Sequence, residues 1–126
     1  MKILEIGQEI ESLLKSDSDF SKIAFNYLKN SNLSYSLKEL EEFMMSWSLD
    51  NPTLPDQVNV YNGFGQPPLT LFNNGSFVVD LYFWQTLDTS LHSHSFSGAF
   101  KVLHGKSLHE VYKITKTEEY FPDIFI

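Results

Sequence analysis

The sequence contains no cysteine and no arginine. Without cysteine the chain can form no disulfide, and it offers no thiolate as a nucleophile or as a zinc ligand. All nine basic residues are lysine, so the planar two-point grip on phosphate or carboxylate that arginine provides is absent. Sixteen acidic residues give a formal charge of −7, which makes nucleic acid and anionic membrane surfaces poor partners.

Long apolar runs are also missing. No stretch approaches the roughly 20 apolar residues of a membrane span, and the opening segment MKILEIGQEIESLLK is interrupted by Glu5, Gln8 and Glu9. We therefore expect no signal peptide, no membrane partner and a cytoplasmic protein. What the chain does have is 42% hydrophobic and 15% aromatic content over 126 residues, which predicts one packed domain.

The first 48 residues predict helices, because their apolar side chains recur at helical spacing. Ser18 or Asp19 is placed to cap the second helix, and Ser36 with Glu39 forms a capping box that opens the third. The three apolar stripes are typical of core packing; they comprise Ile3, Ile6, Ile10, Leu13 and Leu14, then Phe20, Ile23, Ala24, Tyr27 and Leu28, then Leu40, Phe43, Met44 and Trp47.

Residues 57–126 change to an alternating pattern that predicts antiparallel strands. Asn73, Asn74 and Gly75 supply the turn of one hairpin, and His104 with Gly105 supplies a two-residue turn of another. Helices followed by antiparallel strands predict a single α+β domain, with the helical region 1–48 packed on the strand region.

Two histidines stand one residue apart in the segment LHSHSFSGAFKVLHG. In an extended strand, residues i and i+2 lie on one side, about 7 Å apart, so His92 and His94 can face one divalent metal, such as Fe, Ni, Zn or Mn. By itself the pattern equally suits two polar residues on a strand surface. His109 is the candidate third ligand, because a turn at His104 and Gly105 would pair Phe100 with His109.

The spacing of His92, His94, Gly98 and Gly105, with an apolar strand between the two glycines, resembles the first motif of the cupin superfamily, and within it the thiol-dioxygenase-like branch. The resemblance covers roughly residues 83–113. It implies a double-stranded β-helix, with His92 and His94 as metal ligands and Gly105 as the turn glycine. Gly98 stands where many cupins have a glutamate ligand, as in the branch that uses three histidines.

Three classes of function follow. The first is a metal-dependent oxygenase or isomerase. The second is a non-catalytic cupin-like module that binds a small molecule or oligomerises. The third is a partial domain that another chain completes. A second cupin motif would lie beyond residue 115, and a closed jelly roll uses about eight strands where we count five or six. We therefore expect an incomplete cupin-like β-sandwich or barrel, covered by the helices or completed in a homodimer, and no turnover by this form.

Overall fold

Three helices and one β-hairpin form the regular structure in the described part of this computed structural model, which comprises residues 1–58, 68–83, 97–108 and 113. A 3-10 turn at Lys2–Leu4 leads into the first helix. The elements, in chain order, are α1 Ile6–Leu13, α2 Phe20–Asn30, α3 Leu37–Asp50, β1 Leu69–Asn73 and β2 Val78–Leu81. The order of helices first and antiparallel strands after confirms a small α+β arrangement.

Side-chain caps begin α2 and α3, whereas α1 follows the 3-10 turn without one. Asp19, one of the two predicted candidates, accepts a hydrogen bond from the Lys22 backbone N–H at 3.2 Å and begins α2. At the start of α3 both halves of the capping box are formed: Glu39 N–H donates to the Ser36 hydroxyl at 3.1 Å, and Ser36 N–H donates to the Glu39 carboxylate at 2.7 Å. These bonds satisfy backbone N–H groups that the first helical turn leaves without partners.

The predicted turn of the first hairpin is confirmed. Asn73 accepts a hydrogen bond from Gly75 N–H at 2.9 Å, and Asn74 accepts one each from Ser76 N–H and Phe77 N–H at 3.0 Å. Gly75 has φ +84°, a conformation that costs glycine little. The two asparagine side chains thus reproduce the hydrogen bonds of a backbone turn.

The hairpin strands are antiparallel and slightly irregular. Leu69 faces Leu81 and Thr70 faces Asp80, but the next paired residues are Phe72 and Val79. The register shift between Thr70 and Phe72 leaves the buried Leu71 as an extra residue in β1, which is the geometry of a β-bulge.

The helices and the hairpin share one apolar core. Its buried members come from the 3-10 turn, the three helices, the connection between α2 and α3, and both strands, and they are Ile3, Ile6, Ile10, Ile23, Ala24, Leu33, Leu40, Phe43, Leu71 and Leu81. Gly7 allows the closest approach of α1 to β1, because a Cβ at that position would overlap the ring of Phe72. α1 packs on both strands, and most residues of the predicted apolar stripes lie in or against this core, but Leu13, which was predicted as part of the first stripe, is exposed.

The second predicted hairpin differs from the structure where it can be compared. Residues 97–103 and 106–108 carry no strand, although Gly105 between them has the positive φ of +84° that suits a turn. Alternation of apolar and polar residues favours an extended backbone, but a strand also requires a partner for its N–H and C=O groups. Within the described residues the sheet has two strands, and the cupin-like barrel remains a prediction.

Candidate functional site

The three predicted metal ligands, His92, His94 and His109, lie outside the described residues. His104 is described: it is exposed beside Gly105 at the bend, as the sequence predicted. Within the part of the chain that the structure describes, no group of three or more histidine or acidic side chains is arranged to hold a metal. The metal site therefore remains a prediction from the H-x-H pattern.

The most tightly connected polar residue of the described chain is Thr70. It is fully buried, and its hydroxyl donates to Asp80 Oδ1 across the hairpin at 2.8 Å while accepting from Val58 N–H at 3.3 Å. The Gln57 side chain forms hydrogen bonds with both backbone groups of Thr70. Gln57 Oε1 accepts from the Thr70 N–H at 2.8 Å, and Gln57 Nε2 donates to the Thr70 C=O at 2.9 Å. Every hydrogen-bonding group of Thr70 is thus used, which is what burial of a polar residue demands.

A second polar centre joins residues 97–108 to the end of α2. The Lys101 ammonium donates to the carbonyl oxygens of Leu28 and Ser31 at 3.0 and 2.6 Å, and to the Ser31 hydroxyl at 3.2 Å. Those carbonyls lie at the negative end of the helix, where a cation is favourable. Lys101 therefore caps a helix 70 residues earlier in the chain.

A groove of about 690 Å³, lined by both polar and apolar side chains, lies between α1 and α2. On its wall the Tyr27 hydroxyl donates to the Glu9 carboxylate. Burial of the phenol, the Glu9 hydrogen bond and the negative charges of Glu9 and Glu5 raise the pKa of Tyr27 to about 12. The lining residues are Lys2, Glu5, Glu9, Leu13, Ser16, Asp17, Lys22, Ile23, Asn26, Tyr27, Asn30, Ser31, Asn32 and Leu33.

At one end of the groove, Asp17 and Lys22 form an ion pair of 3.2 Å. A hydrogen bond from the Asp19 backbone N–H and the nearby Lys22 ammonium hold the pKa of Asp17 below its usual value. Both side chains are largely exposed, so the pair contributes little to stability. Acidic, basic and amide groups are mixed along the groove, and no single ligand charge is selected.

The sequence interpretation missed Gln57, Thr70 and Lys101. Gln57 and Thr70 are 13 residues apart, and Lys101 and Ser31 are 70 residues apart, so no local spacing rule connects either pair. A threonine in an otherwise apolar strand segment, LTLF, was the available signal, since a buried hydroxyl requires a partner. Asp80 is the partner that accepts the hydrogen bond of this hydroxyl across the hairpin.

Comparison of the chain with protein-family models, with curated protein sequences and with solved structures finds no match. Among the helices that the structure describes, none is long and apolar enough to cross a membrane.

Proposed function

We propose that this chain is a cupin-like metal-binding domain in which His92 and His94 hold a divalent metal from one strand. The observation that carries the proposal is the spacing of these histidines before Gly98 and Gly105. The positive φ of Gly105 supports it, because the resemblance assigns the turn glycine to this position. Neutral imidazoles suit Fe, Ni, Zn or Mn, and His109 is the proposed third ligand.

Metal binding is tested on the untagged, chelator-treated protein. After addition of Zn²⁺, or of Fe²⁺ without oxygen, and removal of free ion, we expect bound metal in the wild type and none in His92→Ala/His94→Ala. Binding should be weak, because two imidazoles leave most coordination positions to water. His109→Ala should weaken it further if His109 is the third ligand.

His104→Ala is the matched control, because His104 is exposed at the bend and should keep the bound metal. Retention of the metal by the double variant, or an equal loss in His104→Ala, would show that the paired histidines are ordinary strand residues.

Dioxygenase-type catalysis is the further step of this proposal. The thiol-dioxygenase-like branch holds its substrate carboxylate with an arginine, and this sequence has none. We therefore expect no oxygen consumption with cysteine above that of the metal-free protein. Cysteine-dependent consumption that disappears in the double histidine variant would instead make the chain an enzyme.

A non-catalytic binding or oligomerisation module is the second candidate, and the side chains around Gly105 favour it. Val102 is 44% exposed and Leu108 is 87% exposed, and contiguous exposed apolar surface is typical of interaction sites, so this short segment is the candidate surface. Light scattering during gel filtration should show a dimer that Leu108→Ser weakens. A monomer at all concentrations would remove self-association from this candidate.

A further inference from the structure

We propose that Gln57 is an edge guard for β1: its side-chain amide takes the place of a third strand and prevents β1 from pairing with a second copy of this chain. The inference is independent of the proposed metal site. It rests on how the segment Pro55–Val58 is attached to the hairpin.

The backbone of Thr70 points away from β2. Its N–H and C=O both bond to Gln57, at 2.8 and 2.9 Å, although Thr70 faces Asp80 across the hairpin. In an antiparallel pair, such a residue occupies a position where the two strands exchange no hydrogen bonds and the side chains come close. The Thr70–Asp80 side-chain bond fits this position. The outward N–H and C=O are therefore the groups that a further strand would use.

The Gln57 amide offers the same donor and acceptor as a peptide unit. Its oxygen accepts from Thr70, and its nitrogen donates to Thr70 and also to the Pro55 carbonyl at 3.0 Å. Both donor hydrogens of the amide and one acceptor position of its oxygen are thus directed to backbone groups. Gln57 is thus held by its own segment on one side while it pairs with β1 on the other.

Two more bonds fasten the segment along β1. Val58 N–H donates to the Thr70 hydroxyl at 3.3 Å, and the Asn73 side chain donates to the Asp56 carbonyl at 3.1 Å. The segment therefore contacts β1 at both ends, yet residues 55–58 carry no strand. Along residues 55–58, bonds through the side chains of Gln57, Thr70 and Asn73 take the place of a backbone ladder, so this segment covers the edge without itself forming a strand.

An open β1 edge would favour self-association. The strand sequence LTLFN is apolar and has no charge, and natural proteins cover or charge such edges to prevent edge-to-edge pairing. The occupant that we expect in the absence of the guard is a second copy of β1, since every molecule would expose the same edge. The formal charge of −7 opposes association, so the dimer should form only as concentration rises.

The test combines hydrogen exchange with mass measurement. In the wild type the Thr70 amide should be protected; in Gln57→Ala at low concentration its exchange should be about tenfold faster, the effect of losing one hydrogen bond. At high concentration Gln57→Ala should show a larger mass than the wild type by sedimentation, with Thr70 protected again. Gln8→Ala, at an exposed glutamine of α1, is the matched control and should behave as the wild type.

Two results would overturn the proposal. One is an unprotected Thr70 amide in the wild type. This measurement requires no variant, so it tests the proposal even if Gln57→Ala fails to fold. The other is a folded Gln57→Ala with the wild-type mass at every concentration. Gln57→Met, which keeps the length of the side chain and removes the amide, should also lose the Thr70 protection; a Met variant with full protection would equally exclude a role for the amide.

Discussion

At Gly7 the lack of a side chain decides how closely α1 and β1 pack. In an exposed helix position, alanine is favoured over glycine by about 1 kcal/mol. Here a Cβ would overlap the Phe72 ring, so Gly7→Ala should lower the free energy of unfolding by about 1–3 kcal/mol, the usual cost of overpacking. Urea denaturation measures the difference.

The same substitution in a Phe72→Ala background provides the control. With the ring removed, Gly7→Ala should become neutral or stabilising, because only the helix preference remains. A stabilising Gly7→Ala in the otherwise wild-type protein would contradict the contact.

The raised pKa of Tyr27 predicts how the free energy of unfolding changes at alkaline pH. The folded state raises its pKa from about 10 to about 12, chiefly through burial and the Glu9 hydrogen bond. Because the folded state favours the neutral phenol, this contribution is complete below pH 10 and is lost as the pH rises from about 10 to about 12. Stability should fall over that interval, and the fall should be smaller in Tyr27→Phe.

Denaturation of both proteins between pH 8 and pH 12 tests this, because the lysines that also titrate there are common to both. Tyr35→Phe, at another half-buried tyrosine, is the matched variant and should decline as the wild type does. Equal declines in the wild type and Tyr27→Phe would show that burial and the Glu9 contact do not raise the pKa of Tyr27 in solution.

Among the elements, α2 depends on a side chain that is distant in sequence. Lys101 donates three hydrogen bonds to its last turn, so Lys101→Met should cost about 1–2 kcal/mol, the range for a partly buried cation at a helix C-terminus. Lys106→Met, at an exposed lysine of the same segment, should stay within about 0.5 kcal/mol of the wild type. Thermal unfolding by circular dichroism measures both, and equal effects would exclude the cap.

The elements also show where sequence reasoning is sufficient. The Ser36–Glu39 capping box and the Asn73–Gly75 turn were predicted correctly, because their hydrogen bonds join residues at most three apart. The strand prediction for residues 97–108 was wrong in those residues, since pairing depends on a partner that the pattern does not specify. Lys101 and Gln57 were missed for the same reason.

The same difference between local and distant contacts applies to the candidate metal site. Residue types and spacing suggested His92 and His94 as ligands, and the bend at Gly105 agrees with the expected turn. A metal centre also needs a third donor whose approach is fixed by tertiary structure, and no spacing rule gives that. The sequence therefore proposes which side chains bind, while the third donor depends on how distant parts of the chain pack together.

At the scale of the whole molecule, α1 is the element that unites helices and hairpin. Its residues Ile6 and Ile10, together with Ile3 of the preceding 3-10 turn, are buried in the same core as Leu71 and Leu81 of the strands. A core shared in this way cannot be divided without exposing apolar surface on both parts. We therefore expect the helices and the hairpin to unfold together in a single transition.

Coincident denaturation curves from far-ultraviolet circular dichroism and from tryptophan fluorescence would support this expectation. Limited proteolysis provides the stricter test, because residues 51–56 between α3 and the Gln57 segment are accessible, with Pro52, Thr53 and Leu54 exposed. A cut there should leave the two fragments associated. When the fragments are separated in urea and the urea is then removed, the helical fragment should not regain its helical signal, since α1 lacks the strands that cover it. Release of a helical fragment that keeps its circular dichroism without the hairpin would show instead that residues 1–50 fold by themselves.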